Sequence, residues 1–187
     1  MFRRRRFAVA FAIAIFAAVG VLSVRAQQSS SARDKLFEEL LAEPPRAPVS
    51  PEEGRAVFDK LCAQCHKFGS IGNEVGPDLT TMTSRLKKKD IVEAILWPSR
   101  TISDQFEMAL IQTKTGDVIS GMVQRENAQA VFMVTAQAPD KPIRILKAQI
   151  AERKKSTVSM MPEGLVDGLG AGPAGSLVAF LLGRPPR

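Results

Sequence analysis

The sequence predicts an α+β domain, a mainly α fold with a small antiparallel β meander inserted in its middle. Helix signals lie within residues 51–61, 91–96 and 173–182. From Gln105 to Leu146 the apolar residues recur instead with a period of two, which is typical of half-buried strands. Helices therefore bracket a central β segment.

The first 26 residues form a leader. A basic run that ends at Arg6 is followed by an uncharged stretch of 18 residues, 7–24, and by the cleavage-like sequence Val24-Arg25-Ala26. This pattern predicts a secretory signal peptide over residues 1–26, and with it an exported, periplasmic protein. The alternative is an uncleaved membrane anchor, because 18 apolar residues reach the lower limit for crossing a bilayer.

The charge of the chain excludes a nucleic-acid-binding protein. Lys and Arg number 26 against 19 Asp and Glu, but five arginines belong to the leader, which leaves 21 against 19. A chain with so nearly balanced a charge lacks the excess of positive charge that neutralises the phosphates of DNA or RNA. The two cysteines also exclude a disulfide framework. We expect no nucleic-acid partner, and membrane contact only if the leader is retained.

Residues 27–50 are predicted to be a linker with a short helix. Three serines begin it, apolar residues from Leu36 to Leu41 follow at helical spacing, and three prolines end the helix. The domain itself is predicted over 51–187. It opens on a capping box, Ser50-Pro51-Glu52-Glu53, in which Glu53 reaches back to the cap, and a helix from Pro51 to about Leu61 follows.

The β-rich insertion is predicted over residues 103–156, as a meander of three to five short strands. Lys114-Thr115-Gly116-Asp117 predicts a turn, and Asn127 and Pro139-Asp140 separate further β-rich runs. After residue 156 the chain becomes irregular through Met160-Met161-Pro162. It closes on an apolar helix over 173–182.

Cys62-Ala63-Gln64-Cys65-His66 is a C-x-x-C-H motif, the attachment signature of a c-type haem. Thiols at this spacing can reach the two vinyl groups of one porphyrin, and the adjacent His66 can then bind the iron. A structural zinc site needs more ligands than two Cys and one His, and a thioredoxin-type couple needs a βαβ context. A plain disulfide would not explain why the single histidine follows Cys65 directly. The sequence predicts one covalently attached haem c.

The sixth iron ligand is a methionine, a lysine or nothing, because the chain has no second histidine. Six methionines remain after the leader, at positions 82, 108, 122, 133, 160 and 161. Those at 108, 122 and 133 fit strand patterns as core residues. Met161 precedes Pro162 in a loop that periodicity assigns to no core face. We favour Met161 over Met160, because the proline fixes the backbone beside it.

The motifs, in their order along the chain, resemble the class I cytochromes c. They are Gly54 and Phe58, the C-x-x-C-H motif, Gly76-Pro77-Asp78-Leu79, Met161-Pro162 and a final Leu-rich helix with Phe180. The resemblance implies a cytochrome c fold whose terminal helices cross near Gly54 and Phe58. It also implies that the Pro77 carbonyl holds the second nitrogen of His66, and that Met161 is the distal ligand.

A narrower resemblance covers about Pro51 to Gly183. Ile95-Leu96-Trp97-Pro98-Ser99, the β-rich stretch and residues 159–165 are similar to the planctomycete-type haem-binding domain, which places a β insertion before its Met-Pro-Glu-Gly-Leu loop. The chain departs from the class I pattern at its last helix, where glycines replace the expected acidic start.

A histidine and a methionine on the iron leave no place for a substrate, so they favour electron transfer over catalysis. We expect a non-enzymatic one-electron carrier in which Cys62 and Cys65 attach the haem and His66 and Met161 bind the iron. Its expected partner is a redox protein, either a periplasmic dehydrogenase or a respiratory-chain component. Two alternatives stay open: a haem enzyme or gas or redox sensor with an open or labile sixth position, and a docking module with haem as its structural core.

The basic residues at 87–89 and 153–155 are interpreted as solvated surface. The alternative is a basic rim that steers an acidic redox partner to the haem edge.

Overall fold

Four helices and a five-stranded antiparallel sheet make up the part of the chain that the computed structural model describes, residues 31–187. The predicted leader and the start of the predicted linker lie outside these residues. The helices are α1 (31–41), α2 (Pro51–Leu61), α3 (Lys88–Leu96) and α4 (Ala171–Leu182). Within the described range, no helix has the length and apolar character needed to cross a membrane.

The strands form one short hairpin and one sheet. The hairpin is β1 (Lys67–Phe68) with β2 (Ile71–Gly72), directly after the C-x-x-C-H motif. The sheet contains β3 (Met108–Thr113), β4 (Val118–Glu126), β5 (Ala130–Thr135), β6 (Ala138–Leu146) and β7 (Ile150–Lys155), in the spatial order β6-β5-β4-β3-β7.

The prediction of a mainly α fold is wrong, because about a quarter of the described residues are strand. Sequence patterns did not reveal β7, since this charged edge strand is almost fully exposed and shows no apolar alternation. The predicted break at Pro139-Asp140 lies inside β6. Pro139 falls between the pairs Thr135–Ala138 and Met133–Ile143, where the register of this edge strand shifts, and such positions tolerate a residue without an N–H group.

The sheet is curled. Its two edge strands, β6 and β7, are joined only by residues Lys147–Gln149. A flat sheet would separate these edges by about 19 Å, whereas so short a connection spans at most about 14 Å. Curling encloses a small apolar interior, the sheet core, formed by Ala109, Ile111, Val131, Met133 and Ile145.

The sheet segment begins and ends at one place. The backbone N–H of Ser156 donates a hydrogen bond to the carbonyl of Met108, at 2.8 Å. The insertion therefore returns the chain to the point where it left the helices.

A second apolar interior, the helical core, contains residues of all four helices. Helices α2 and α4 cross at Gly54, where a Cβ would lie 1.9 Å from the carbonyl oxygen of Ser176. Next to the crossing, the rings of Phe58, Phe68 and Phe180 pack with centroids 5.3–6.0 Å apart. The terminal helices thus cross near Gly54 and Phe58, as the resemblance implied.

Helix α2 has the predicted bounds, but its capping differs in part. The Ser50 hydroxyl accepts a hydrogen bond from the backbone N–H of Glu53, at 3.3 Å. The Glu53 carboxylate does not reach back to the cap. It accepts instead from the buried hydroxyl of Ser176 at 2.7 Å, and that hydroxyl accepts from the Ser50 backbone N–H at 3.0 Å. The start of α2 is therefore tied to α4.

Helix α1 packs on the helical core. Leu36 and Leu40 are buried in it, and the Phe37 ring lies 5.4 Å from that of Trp97, directly after α3. The short helix predicted in the linker is thus packed against α3.

Candidate functional site

The C-x-x-C-H motif forms a tight turn at the end of α2. The backbone N–H of Cys62 donates to the carbonyl of Phe58 at 2.8 Å, which ends the helix. The N–H groups of Cys65 and His66 then donate to the carbonyl of Cys62 at 3.0 and 2.8 Å. Neither cysteine forms a disulfide, and both are half-buried. The turn therefore brings two unpaired thiols and an imidazole close together along the chain.

The orientation of His66 is fixed by Pro77. Nδ1 of His66 lies 2.9 Å from the Pro77 carbonyl oxygen. A carbonyl only accepts hydrogen bonds, so Nδ1 carries the proton and Nε2 keeps a free lone pair. A ring held in this way presents Nε2 as the nitrogen that can bind a metal.

The loop before Pro77 closes on the motif. The N–H groups of Val75 and Gly76 both donate to the carbonyl of Cys65, at 3.0 and 2.7 Å. Gly76 lies against the imidazole, where a Cβ would stand 2.8 Å from Cε1 of His66. The loop thus fits around the ring only because residue 76 has no side chain.

The site favours uncharged groups. Burial raises the pKa of Cys62 to about 12, with a smaller contribution from Cys65, and burial also raises the pKa of Cys65. Burial lowers the pKa of His66, and the hydrogen bond to Pro77 opposes it. A bare metal ion needs thiolates, which this environment disfavours. Thiols that form thioethers and a neutral imidazole that binds iron both suit it.

The surroundings of the motif also fit a haem. Several apolar side chains here pack against the helical core but stay partly exposed, among them Cys62, Ala63, Ile71 and Leu79. Cys62 and Ala63 belong to the motif, Ile71 lies in the hairpin that follows it, and the Leu79 N–H donates to the Lys67 carbonyl, so a porphyrin attached at the motif would cover apolar surface there. Cys62, Cys65 and His66 would hold the group, and Pro77 would orient the histidine.

The two adjacent methionines lie in the methionine loop, residues 159–170, between β7 and α4. Both are half-buried, and neither belongs to the helical core or the sheet core of residues 31–187. Met133, by contrast, is fully buried in the sheet core. The backbone N–H of Met161 donates to the Ser159 hydroxyl at 3.2 Å. The side chains of Met160 and Met161 are therefore not committed to either core.

A family model for Cytochrome c matches residues 51–151, which is more than half of the chain. The chain belongs to the cytochrome c family. Its cofactor is a covalently bound c-type haem with iron, so the predicted haem c is confirmed, and the chain is a haem-binding electron-transfer protein. The matched region contains the C-x-x-C-H motif and Pro77 but not Met161. A search of curated proteins gives no match.

One group of residues at the edge of this cytochrome c domain was missed by sequence reasoning. The Arg33 side chain contacts both Glu163 and Asp167 in the methionine loop. Arg33 lies in the predicted linker, and no local pattern links it to carboxylates so far along the chain. The one sequence feature that indicated a packed helix in this segment is the helical spacing of Leu36 and Leu40.

The basic residues at 153–155 each have an acidic partner. Arg153 pairs with Glu126 at 2.8 Å, Lys154 with Glu152 at 2.8 Å and Lys155 with Glu107 at 2.6 Å. These carboxylates offset part of the positive charge of residues 153–155, since Glu126 also pairs with Lys147, and they favour a solvated surface for this segment.

Proposed function

We propose that this cytochrome c is an exported one-electron carrier with a single haem, that His66 and Met161 are its axial ligands, and that it is not an enzyme. The carrying observation is the 2.9 Å hydrogen bond between His66 and Pro77, because it leaves Nε2 as the nitrogen that can bind iron, directly after two cysteines that form no disulfide. The proposal assigns Cys62 and Cys65 to the thioether bonds.

Bound haem supplies one-electron exchange at its iron. The residues of the chain hold and tune that group. The Pro77 carbonyl accepts the Nδ1 proton of His66, which fixes the ring and raises its basicity as a ligand. Gly76 packs on the same ring and limits its rotation.

Three features support Met161 as the distal ligand. It lies outside both cores, Pro162 restricts the backbone beside it, and its loop is attached to the segment after α3 by a 3.2 Å hydrogen bond from the Ser159 N–H to the Ser99 hydroxyl. A thioether ligand raises the iron potential and closes the sixth position to substrates. Both effects suit a carrier.

Export, subtype and partner complete the proposal. The basic and apolar leader supports export, and cytochrome c domains are typically exported or periplasmic. The curled sheet between Trp97-Pro98-Ser99 and the methionine loop supports the planctomycete-type haem-binding domain. The partner we propose is a redox protein, a dehydrogenase or a respiratory-chain component.

Two single variants of the holoprotein test the ligation. Met161→Ala should abolish the charge-transfer band between methionine and ferric iron, lower the potential and let carbon monoxide bind ferrous iron. Met160→Ala is the matched control, and the band should persist in it. If the two variants exchange behaviour, the ligand is Met160. If the wild type has no such band and binds carbon monoxide freely, a haem enzyme or sensor replaces the carrier.

The N-terminus of the mature protein tests export. Sequencing should find Gln27 first. Protein that keeps residues 1–26 and sediments with membranes would show an anchored cytochrome instead.

A further inference from the structure

We infer that Arg33 is a positioning residue for the distal ligand: it holds the methionine loop in place and so determines how firmly Met161 stays on the iron. This inference rests on the proposed ligation by His66 and Met161. It adds a role for a residue that lies outside the family match.

The Arg33 guanidinium holds two carboxylates of the methionine loop. Its Nε lies 2.9 Å from both carboxylate oxygens of Asp167, and its Nη1 lies 2.7 Å from Oε2 of Glu163. The Arg33 side chain is only 18% exposed. Charge-assisted bonds from a planar guanidinium fix direction as well as distance. Arg33 therefore ties α1 to the segment that starts two residues after Met161.

Helix α1 is a firm base for this contact. Leu36 and Leu40, on the next turns of the helix, are buried in the helical core, and Phe37 packs on Trp97. A long side chain on a packed helix loses less entropy on bonding than one on a free terminus.

The backbone of the loop is shaped to meet Arg33. Gly164 has φ +82, a conformation that L side chains rarely adopt, and the N–H of Asp167 donates to its carbonyl at 3.1 Å. A Cβ on Gly164 would lie 3.1 Å from the Asp167 carboxylate and 3.2 Å from Nη2 of Arg33. This turn brings Glu163 and Asp167 to one guanidinium, where their charges would otherwise repel.

Met160 and Met161 are thus held from both sides. Before them, the Ser159 N–H bonds to Ser99. After them, Arg33 holds Glu163, and Val166 is buried in the helical core at 3% exposure. Without Arg33, the first contacts with the helical core after Met161 in the described chain are those of the partly buried Leu165 and the buried Val166, four and five residues away. Movement of the loop should then release the thioether more often.

Arg33→Met in the holoprotein removes the guanidinium and keeps an apolar stem. We expect ferrous iron to bind carbon monoxide about tenfold faster and the ferric methionine band to weaken, because the loop should release the thioether more often. Amide hydrogen exchange should speed up in the methionine loop and not in β3–β7. Because the cluster is partly exposed, high salt should reduce the difference between variant and wild type.

Arg153→Met is the matched control. By the same substitution it breaks a 2.8 Å arginine–glutamate pair between β7 and β4, which includes no residue of the methionine loop. It should change neither the carbon monoxide rate nor the band. Asp167→Asn should reproduce part of the effect of Arg33→Met. The variant with both substitutions should change the carbon monoxide rate by less than the two single effects combined, since the two residues act through one contact.

Arg33→Lys covers the case in which Arg33→Met does not fold. A lysine keeps the charge but cannot bridge both carboxylates, so it should give an intermediate rate. Equal rates in the wild type, Arg33→Lys and Arg153→Met would overturn the positioning role while leaving the ligation by Met161 intact. A wild type without the methionine band would overturn the ligation and the positioning role together.

Discussion

His66 is oriented by packing as well as by hydrogen bonding. The Pro77 carbonyl accepts a hydrogen bond from Nδ1, and Gly76 lies so close to the ring that an added Cβ would stand 2.8 Å from Cε1. The C-x-x-C-H residues could be named from the sequence because their spacing is local, and Pro77 could be named because the resemblance to the class I cytochromes c implies its role. Arg33 could not, because its partners follow 130 and 134 residues later and only the fold brings them together.

Gly76→Ala should disturb the histidine. The added Cβ would stand 2.8 Å from Cε1 of His66, so the ring or the loop must shift. We expect this shift to lower the free energy of unfolding by about 1–3 kcal/mol. Urea denaturation of the ferric holoprotein, followed at the haem band, measures this cost. Gly168→Ala is the control, since no atom lies within 4 Å of its added Cβ. Equal stability of the two variants would show that Gly76 is not needed to pack His66.

Among the elements, the helices were more predictable than the sheet. Ser50 and Pro51 mark the start of α2, and Pro98 follows the end of α3, so local chemistry fixes these bounds. The curled sheet depends on pairs such as Thr113 with Ile150, which no local pattern encodes. Strand β7 is almost fully exposed on both faces, so its charged residues carry no sign of a buried face.

Gly54→Ala tests the crossing of α2 and α4. Its Cβ would lie 1.9 Å from the Ser176 carbonyl oxygen, and both groups belong to rigid helices. We therefore expect the free energy of unfolding to fall by about 3 kcal/mol. Gly172→Ala, near the start of α4, meets only the Pro48 oxygen at 3.7 Å and should be neutral or stabilising by up to about 1 kcal/mol. Thermal unfolding of both variants measures the contrast. A neutral Gly54→Ala would mean that the helices do not cross this closely.

At the scale of the whole molecule, the helical core and the sheet core share no residue in the described range. The C-x-x-C-H motif borders the helical core, through Cys62 and Ala63, and contributes no residue to the sheet core. The two cores should therefore depend on haem to different degrees.

A triple variant, Cys62→Ser, Cys65→Ser and His66→Ala, should separate the two cores. Without haem, the helical core loses a large apolar partner, so amides of α2 and α4 should exchange as in a loosely packed state. Amides of β3–β5 should keep most of their protection. Amide hydrogen exchange, measured by mass spectrometry on the variant and on the holoprotein, compares the two cores. Equal loss of protection in helices and strands would show that the two cores fold as one unit.

The hydrogen bond between Ser156 and Met108 has a consequence for chain entropy. To pack α4 on α2, the chain between them must close a loop, and Met108 to Ser156 makes up slightly less than half of it. Because the ends of that stretch meet, a folded insertion no longer lengthens the loop. The entropic cost of closure grows by only about 0.6 kcal/mol for each doubling of loop length, even for a flexible insertion. A cytochrome c domain can therefore host an additional sheet at this position at almost no expense to its own stability.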